Sequence, residues 1–207
     1  MVSLVPTILT DNKEEFKKRL DNLSFSNWIQ IDFMDGIFVP EKSLDLNQIP
    51  PLPNRHLEAH LMVEKPLEYL EMLKRKKFER ILFHYEATRE TTNEVARKIR
   101  NEGLEPVLAI NPETELEEVK PYLTEFKCIL FLGVTPGREG QEFQKETIEK
   151  IDFIKQISNI KIQVDGGVNK EAAKLLKGKA DIVNSGSYIS KSENPRKAYE
   201  ELLEILK

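Results

Sequence analysis

Short apolar runs alternate with charged, amphipathic stretches from one end of the chain to the other. Eight runs read as strands: SLVPTIL (3–9), WIQIDFM (28–34), HLEAHLM (56–62), RILFHYE (80–86), LEPVLAI (104–110), KCILFLGV (127–134), IKIQVD (160–165) and ADIVNSG (180–186). The segments between them have helical spacing, as in DNKEEFKKRLDNL and TRETTNEVARKIRNEG. The first opens on Thr10 or Asp11 as its N-cap, the second stops at Gly103, and a last helix runs from about Pro195 to Leu206.

Regular strand–helix alternation makes neighbouring strands parallel, because each crossover returns the chain to the same edge. Eight such units predict an α/β fold, a TIM (β/α)8 barrel, with residues 1–207 as a single domain. A doubly wound open sheet is the alternative. In a barrel of this kind the chemistry sits at the C-terminal ends of the strands, so the phase of each strand matters. With Ile29, Ile31 and Phe33 packed outward, Gln30 and Asp32 point into the barrel. The same alternation turns His56, Glu58, His60 and Met62 inward from the third strand and Asp165 inward from the seventh. Gln30, Asp32, His60 and Asp165 are thereby expected to meet at the mouth.

Composition narrows the partners. Charged residues make up 32% of the chain but the net charge is only -4, so neither nucleic acid nor an anionic membrane is expected to bind. No apolar run reaches the ~20 residues of a membrane span, and no secretion signal opens the chain, which predicts a cytoplasmic protein. The single cysteine, Cys128, stands in the apolar setting FKCILFL and reads as a small core residue.

Two buried carboxylates add little stability to a barrel unless a cation lies between them. A divalent metal held by Gln30, Asp32, His60 and Asp165 would offset their repulsion. Glycine turns follow three adjacent strands: Gly137 and Gly140 in GVTPGREGQEF, Gly166 and Gly167 in QVDGGVN, and Gly186 with Ser187 in NSGSYI. The loops after strands 7 and 8 are the customary phosphate cradle of the fold, where backbone N–H groups can approach an anion.

Seven stretches in order, IDFMDGIFVP, EAHLMVEKP, LFHYEAT, LAINPETELEEVKPYL, TPGREGQEF, VDGGVN and SGSYI, resemble the ribulose-phosphate 3-epimerase family over nearly the whole chain. The resemblance implies a cytoplasmic isomerase of the pentose phosphate pathway that interconverts D-ribulose 5-phosphate and D-xylulose 5-phosphate. It makes Asp32 and Asp165 the two acid/base carboxylates. It implies a divalent metal (Zn, Fe, Mn or Mg) on two histidines and these two aspartates, with Gln30 in the place of one histidine and His60 as the other. An amide oxygen there tilts the preference from Zn²⁺ or Fe²⁺ towards Mn²⁺ or Mg²⁺. Thr7 stands where the family has a substrate-contacting serine, and Ile37 where a histidine is usual. The glycine-rich phosphate loop reads Gly137-Arg138-Glu139-Gly140, so that Arg138 is expected to offset the charge of Glu139. Asp35, Gly36 and Pro40 are expected to shape the loop after strand 2. The related decarboxylases and synthases carry Asp-x-Lys-x-x-Asp on this strand, and QIDFMD has no lysine. A homo-oligomer is implied as well. Two alternatives stand: an epimerase of another phosphosugar such as a hexulose 6-phosphate, and a metal-free relative that binds phosphosugars without turnover.

Overall fold

A computed structural model describes residues 2–207. Eight parallel strands close into a barrel in sequence order: β1 (Ser3–Ile8), β2 (Trp28–Met34), β3 (His56–Met62), β4 (Arg80–His84), β5 (Glu105–Ile110), β6 (Cys128–Leu132), β7 (Lys161–Asp165) and β8 (Ile182–Ser185). The last strand pairs with the first, Val5 beside Asn184, so no sheet edge is left open. This is the TIM-barrel architecture that the alternating pattern predicts. Among the described residues no helix is long and apolar enough to cross a membrane.

The strands are somewhat shorter than their apolar runs. β4 ends at His84, because Tyr85–Thr88 already turns as a helix, and β6 stops at Leu132, before Gly133. The first helix spans Lys13–Asn22, and its N-cap is Asn12, whose side chain accepts from Glu15 N at 2.9 Å. Thr10 instead accepts from Asn12 N. Gly103, at φ +79°, follows the helix Thr92–Asn101, and the final helix is Pro195–Leu206.

Alternation along the strands sorts the core into two layers. Outward residues such as Ile31, Leu61, Phe83, Phe131 and Val164 are buried against the helices. Inside the barrel, one half is apolar, built from Leu82, Val107, Ala109, Cys128, Leu130 and Leu132. Burial pushes the Cys128 thiol up to about 12, which suits an inert core residue. The other half of the interior is polar, with Gln30, Glu58, Gln163 and Asn184 all fully buried. The candidate site sits on top of that polar half.

Candidate active site

Register brings the site together. Asp32 on β2 pairs with His60 on β3, and Gln30 pairs with Thr7 on β1. Asp165 ends β7, beside Leu132 of β6. His60 Nδ1 lies 3.4 Å from Asp32 Oδ1 and 3.7 Å from Asp165 Oδ2. One donor atom from each of these three residues falls within 4.8 Å of the others.

Gln30 reaches the same point with its other end. Its Nε2 donates to Asp32 Oδ1 at 2.8 Å and to Asp165 Oδ2, while its Oε1 accepts from Asn184 Nδ2 at 2.8 Å. Here the amide presents its N–H donor to the carboxylates, and its oxygen, the atom expected to ligate, faces Asn184. The reason lies one layer down. Asn184 can only donate through Nδ2, which it shares between Gln30 Oε1 and Glu58 Oε1 (2.6 Å). Glu58 also accepts from Gln163 at 2.9 Å and from Arg80 at 2.7 Å. The orientation of the amide is thus fixed by a chain of donors that starts at an arginine.

Electrostatics follow from burial. Burial first, and then the charge of Asp32, push Asp165 up to about 7, against the pull of His60, Gln30 and the Gly166 amide. For His60 burial works to lower the pKa, yet Asp32 beside it and Asp165 raise it overall. His84 goes the other way: burial lowers it, and the hydrogen bond to Glu86 only partly opposes this.

The two imidazoles meet Nε2 to Nε2 at 2.9 Å, and His84 Nδ1 lies 3.1 Å from Glu86 Oε2. Glu86 is itself held by Asn111 N and the Thr114 hydroxyl, and its pKa is lowered: burial raises it, but His84, with Asn111 N and Thr114, more than offsets this. An ionised Glu86 only accepts, so His84 donates from Nδ1 and accepts at Nε2. His60 must then donate from Nε2, which turns its Nδ1 towards the two aspartates. Among the described residues that buried Nδ1 has no hydrogen-bond partner. A buried ring nitrogen without a partner, set between two carboxylates, fits a divalent cation that would displace any proton on it, with Asp32, His60 and Asp165 as its donors.

Gln30→His tests the fourth position. Imidazole binds Zn²⁺ more strongly than an amide does, and the substitution removes the N–H donor that occupies both carboxylates. Direct titration should show Zn²⁺ binding tightened by ~10-fold or more, taking the effect of outer-shell changes as the lower guide. Equal affinity in the two proteins would remove residue 30 from the metal question.

Above the carboxylates opens a cavity of about 310 Å³, with Thr7, Asp32, His60 and Asp165 at its base and Gly137, Gly140, Gly166, Gly167, Gly186 and Ser187 along its walls. The Thr7 hydroxyl is buried without a partner. Gly166 and Gly167 adopt φ +93° and +69°, and a Cβ on Gly167 would stand 2.7 Å from Phe143 N, so the turn after β7 admits no side chain. Asp35 shapes the β2 loop as expected: Oδ1 accepts from Ile37 N and Phe38 N, and Oδ2 from Glu64 N.

Two pairings differ from the sequence reading. Arg138 does not offset Glu139. It binds Glu41 at 2.6 Å and its side chain is 77% exposed. Glu139 is instead held by Arg19 and Lys191, from either end of the chain. Sequence reasoning also missed His84, Glu86 and Asn184. The inward phase that found Asp32 would have found His84, two residues after inward Leu82, and Asn184 on β8.

The profile of the Ribulose-phosphate 3 epimerase family matches residues 3–190. A ribulose-phosphate 3-epimerase of Chlamydia muridarum is 35% identical over 183 residues, 83% of this chain and 79% of its own length. One of Helicobacter pylori is 30% identical over 213 residues, 99% of this chain and 98% of its own. Among solved structures, 3-keto-L-gulonate-6-phosphate decarboxylase from Vibrio cholerae superposes with a TM-score of 0.73 at 12% identity, over 99% of this chain and 97% of that one. The 3-hexulose-6-phosphate synthase from Salmonella typhimurium gives 0.71 at 14%, over 99% and 98%. At those identities the structural likeness speaks for the barrel alone. The sequence matches carry more, and by them the chain belongs to the ribulose-phosphate 3-epimerase family and is an epimerase.

Proposed function

We propose that the chain interconverts D-ribulose 5-phosphate and D-xylulose 5-phosphate, one of Asp32 and Asp165 taking the C3 proton from one face while the other delivers a proton to the opposite face. The observation that supports this best is the pair of carboxylates at the cavity base, one of them with its pKa pushed up to about 7. Epimerisation beside a ketone needs a base to take the C3 proton on one face and an acid to return one on the other. A carboxyl group can fill either role as the direction of reaction requires, a base while ionised and an acid once it has taken up a proton. The electron pair left at C3 moves into an enediolate and returns when the new C–H bond forms, so no redox partner is needed.

Gln30 Nε2 keeps the two carboxylates at fixed positions through the hydrogen bonds to both. Asp32, His60 and Asp165 would hold the divalent metal, which when bound supplies Lewis-acid stabilisation of the enediolate, typically several kcal/mol. Thr7, with its unpaired hydroxyl, faces the sugar. The phosphate rests on the backbone amides of Gly166–Gly167 and Gly186–Ser187.

Isotope exchange tests the reading. In deuterated water with added Mn²⁺ or Zn²⁺, D-ribulose 5-phosphate should gain deuterium at C3 and convert to the xylulose epimer. Faster turnover of a hexulose 6-phosphate would reassign the substrate. Binding of either sugar phosphate with no exchange under any metal would favour a relative that binds without chemistry.

A further inference from the structure

The loop between β6 and the helix Glu146–Ile157 places a carboxylate against the cradle. Glu139 Oε1 lies 3.6 Å from where a Cβ on Gly186 would stand, and Glu139 lines the cavity. Two cations hold it from behind. Arg19 donates from Nη1 to Oε1 at 3.0 Å and from Nη2 to Oε2 at 3.4 Å, and Lys191 Nζ lies 2.8 Å from Oε2. A glutamate beside backbone amides that are to receive a dianion is repulsive unless it can leave.

Several features allow it to leave. Glu139 stands between Gly137 at φ +111° and Gly140 at φ +80°, and a Cβ on Gly140 would meet nothing within 4 Å. Turns and bends, with no regular helix or strand, cover residues 133–145. Arg19, by contrast, is anchored, while the half-exposed Lys191 is free to follow an anion. The Arg19 side chain is only 5% exposed, and its Nε is fixed to Glu15 at 2.8 Å. Lys191 directly follows the helical turn Ser187–Ser190 that opens beside Gly186. Charge decides what the cluster offers. With Glu139 in place, Glu15, Arg19, Glu139 and Lys191 balance to zero, and a phosphate gains nothing from them. With Glu139 turned out, the cluster carries one net positive charge.

We infer that Glu139 occupies the cation site meant for the substrate's phosphate, and that an arriving phosphate displaces it and takes over Arg19 and Lys191. A phosphate oxygen suits this exchange, since a guanidinium and an ammonium both form charge-assisted hydrogen bonds with it. The exchange deepens the proposed function, because it rests on the cradle at Gly166–Gly167 and Gly186–Ser187. It would add side-chain recognition to a phosphate site otherwise made of backbone.

Calorimetric titration with inorganic phosphate tests it in the wild type and in Glu139→Gln, Lys191→Met and Gly186→Val. Glu139→Gln should tighten phosphate binding by about ten-fold or more, the size of one charge-assisted hydrogen bond. Lys191→Met should weaken binding, and the double variant should lose most of the gain of Glu139→Gln. Gly186→Val should also weaken it, because its side chain fills the cradle; at φ −87° and ψ −101° the backbone is strained for any residue with a Cβ, so the variant's fold is checked by circular dichroism first. If Gly186→Val weakens binding but Glu139→Gln leaves it unchanged or weaker, Glu139 is a staple of the loop and the inference is wrong while the cradle stands. If Gly186→Val has no effect, the cradle itself is misplaced and the exchange goes with it.

Discussion

Asparagine at either Asp32 or Asp165 is expected to abolish interconversion of the two pentulose phosphates, with kcat down by about 10²–10⁴-fold. The substitution keeps the shape of the side chain, and an amide oxygen can still accept from Gln30 Nε2, so the loss would report on the missing proton acceptor and not on a collapsed site. The two variants should differ in what they retain. Each keeps one carboxylate, and each should wash the C3 proton of only one epimer into solvent, because the remaining group serves only one face of the sugar. Zn²⁺ or Mn²⁺ affinity has to be measured alongside, since both residues are also placed to hold the ion. Restoring metal occupancy by raising its concentration should not restore turnover. Near-normal kcat in both variants would overturn the two-carboxylate reading outright.

The residues of that site were legible in the sequence because β-strands alternate with period two and the barrel has a fixed inside. Once Ile29, Ile31 and Phe33 are assigned to the helix side, Gln30 and Asp32 have nowhere to point but inward. His60 follows in the same way, and the register that pairs it with Asp32 needs no more than parallel neighbours. What the sequence could not carry is the direction of an amide. Gln30 has one oxygen and one nitrogen, and which of them faces the carboxylates depends on Asn184, 154 positions away. Its neighbours turn the nitrogen, and not the oxygen, towards the carboxylates. Arg138 and Glu139 show the same limit in another form. Adjacent residues in a loop point in different directions, and Glu139 took its partner from the helix Lys13–Asn22, 120 positions earlier. On the sequence alone Arg19 reads as part of a charged helix face, with Glu15 one turn before it. Nothing in that spacing marks it as buried.

Arg80→Met is expected to destabilise the fold by about 3–5 kcal/mol, the range for leaving a buried charge without its partner. For a chain of this size, that shifts the melting temperature by roughly 10 °C or more. Glu58 is fully buried, and burial raises its pKa while Arg80, then Asn184 and Gln163, pull it down. Removing the guanidinium takes away the first of those pulls and the 2.7 Å hydrogen bond to Oε2. It also frees Gln163, which accepts from Arg80 and donates to both Glu58 and Asn184. Methionine fills much of the volume and keeps contact with the Trp28 ring, over which the guanidinium now lies at 5.6 Å, so the loss should be electrostatic and not a cavity. Adding Glu58→Gln should recover a substantial part of the stability, because the neutral amide still accepts from Asn184 and Gln163 without needing a cation. Denaturant titration of the two variants separates this from simple packing. A single variant within about 1 kcal/mol of wild type, or a double variant no better than the single, would show that the pair does not hold the polar half of the barrel. The consequence for the site follows along the same chain of bonds. Glu58 orients Asn184, Asn184 orients Gln30, and Gln30 spaces the two carboxylates, so the double variant can regain stability while its metal affinity stays below that of the wild type.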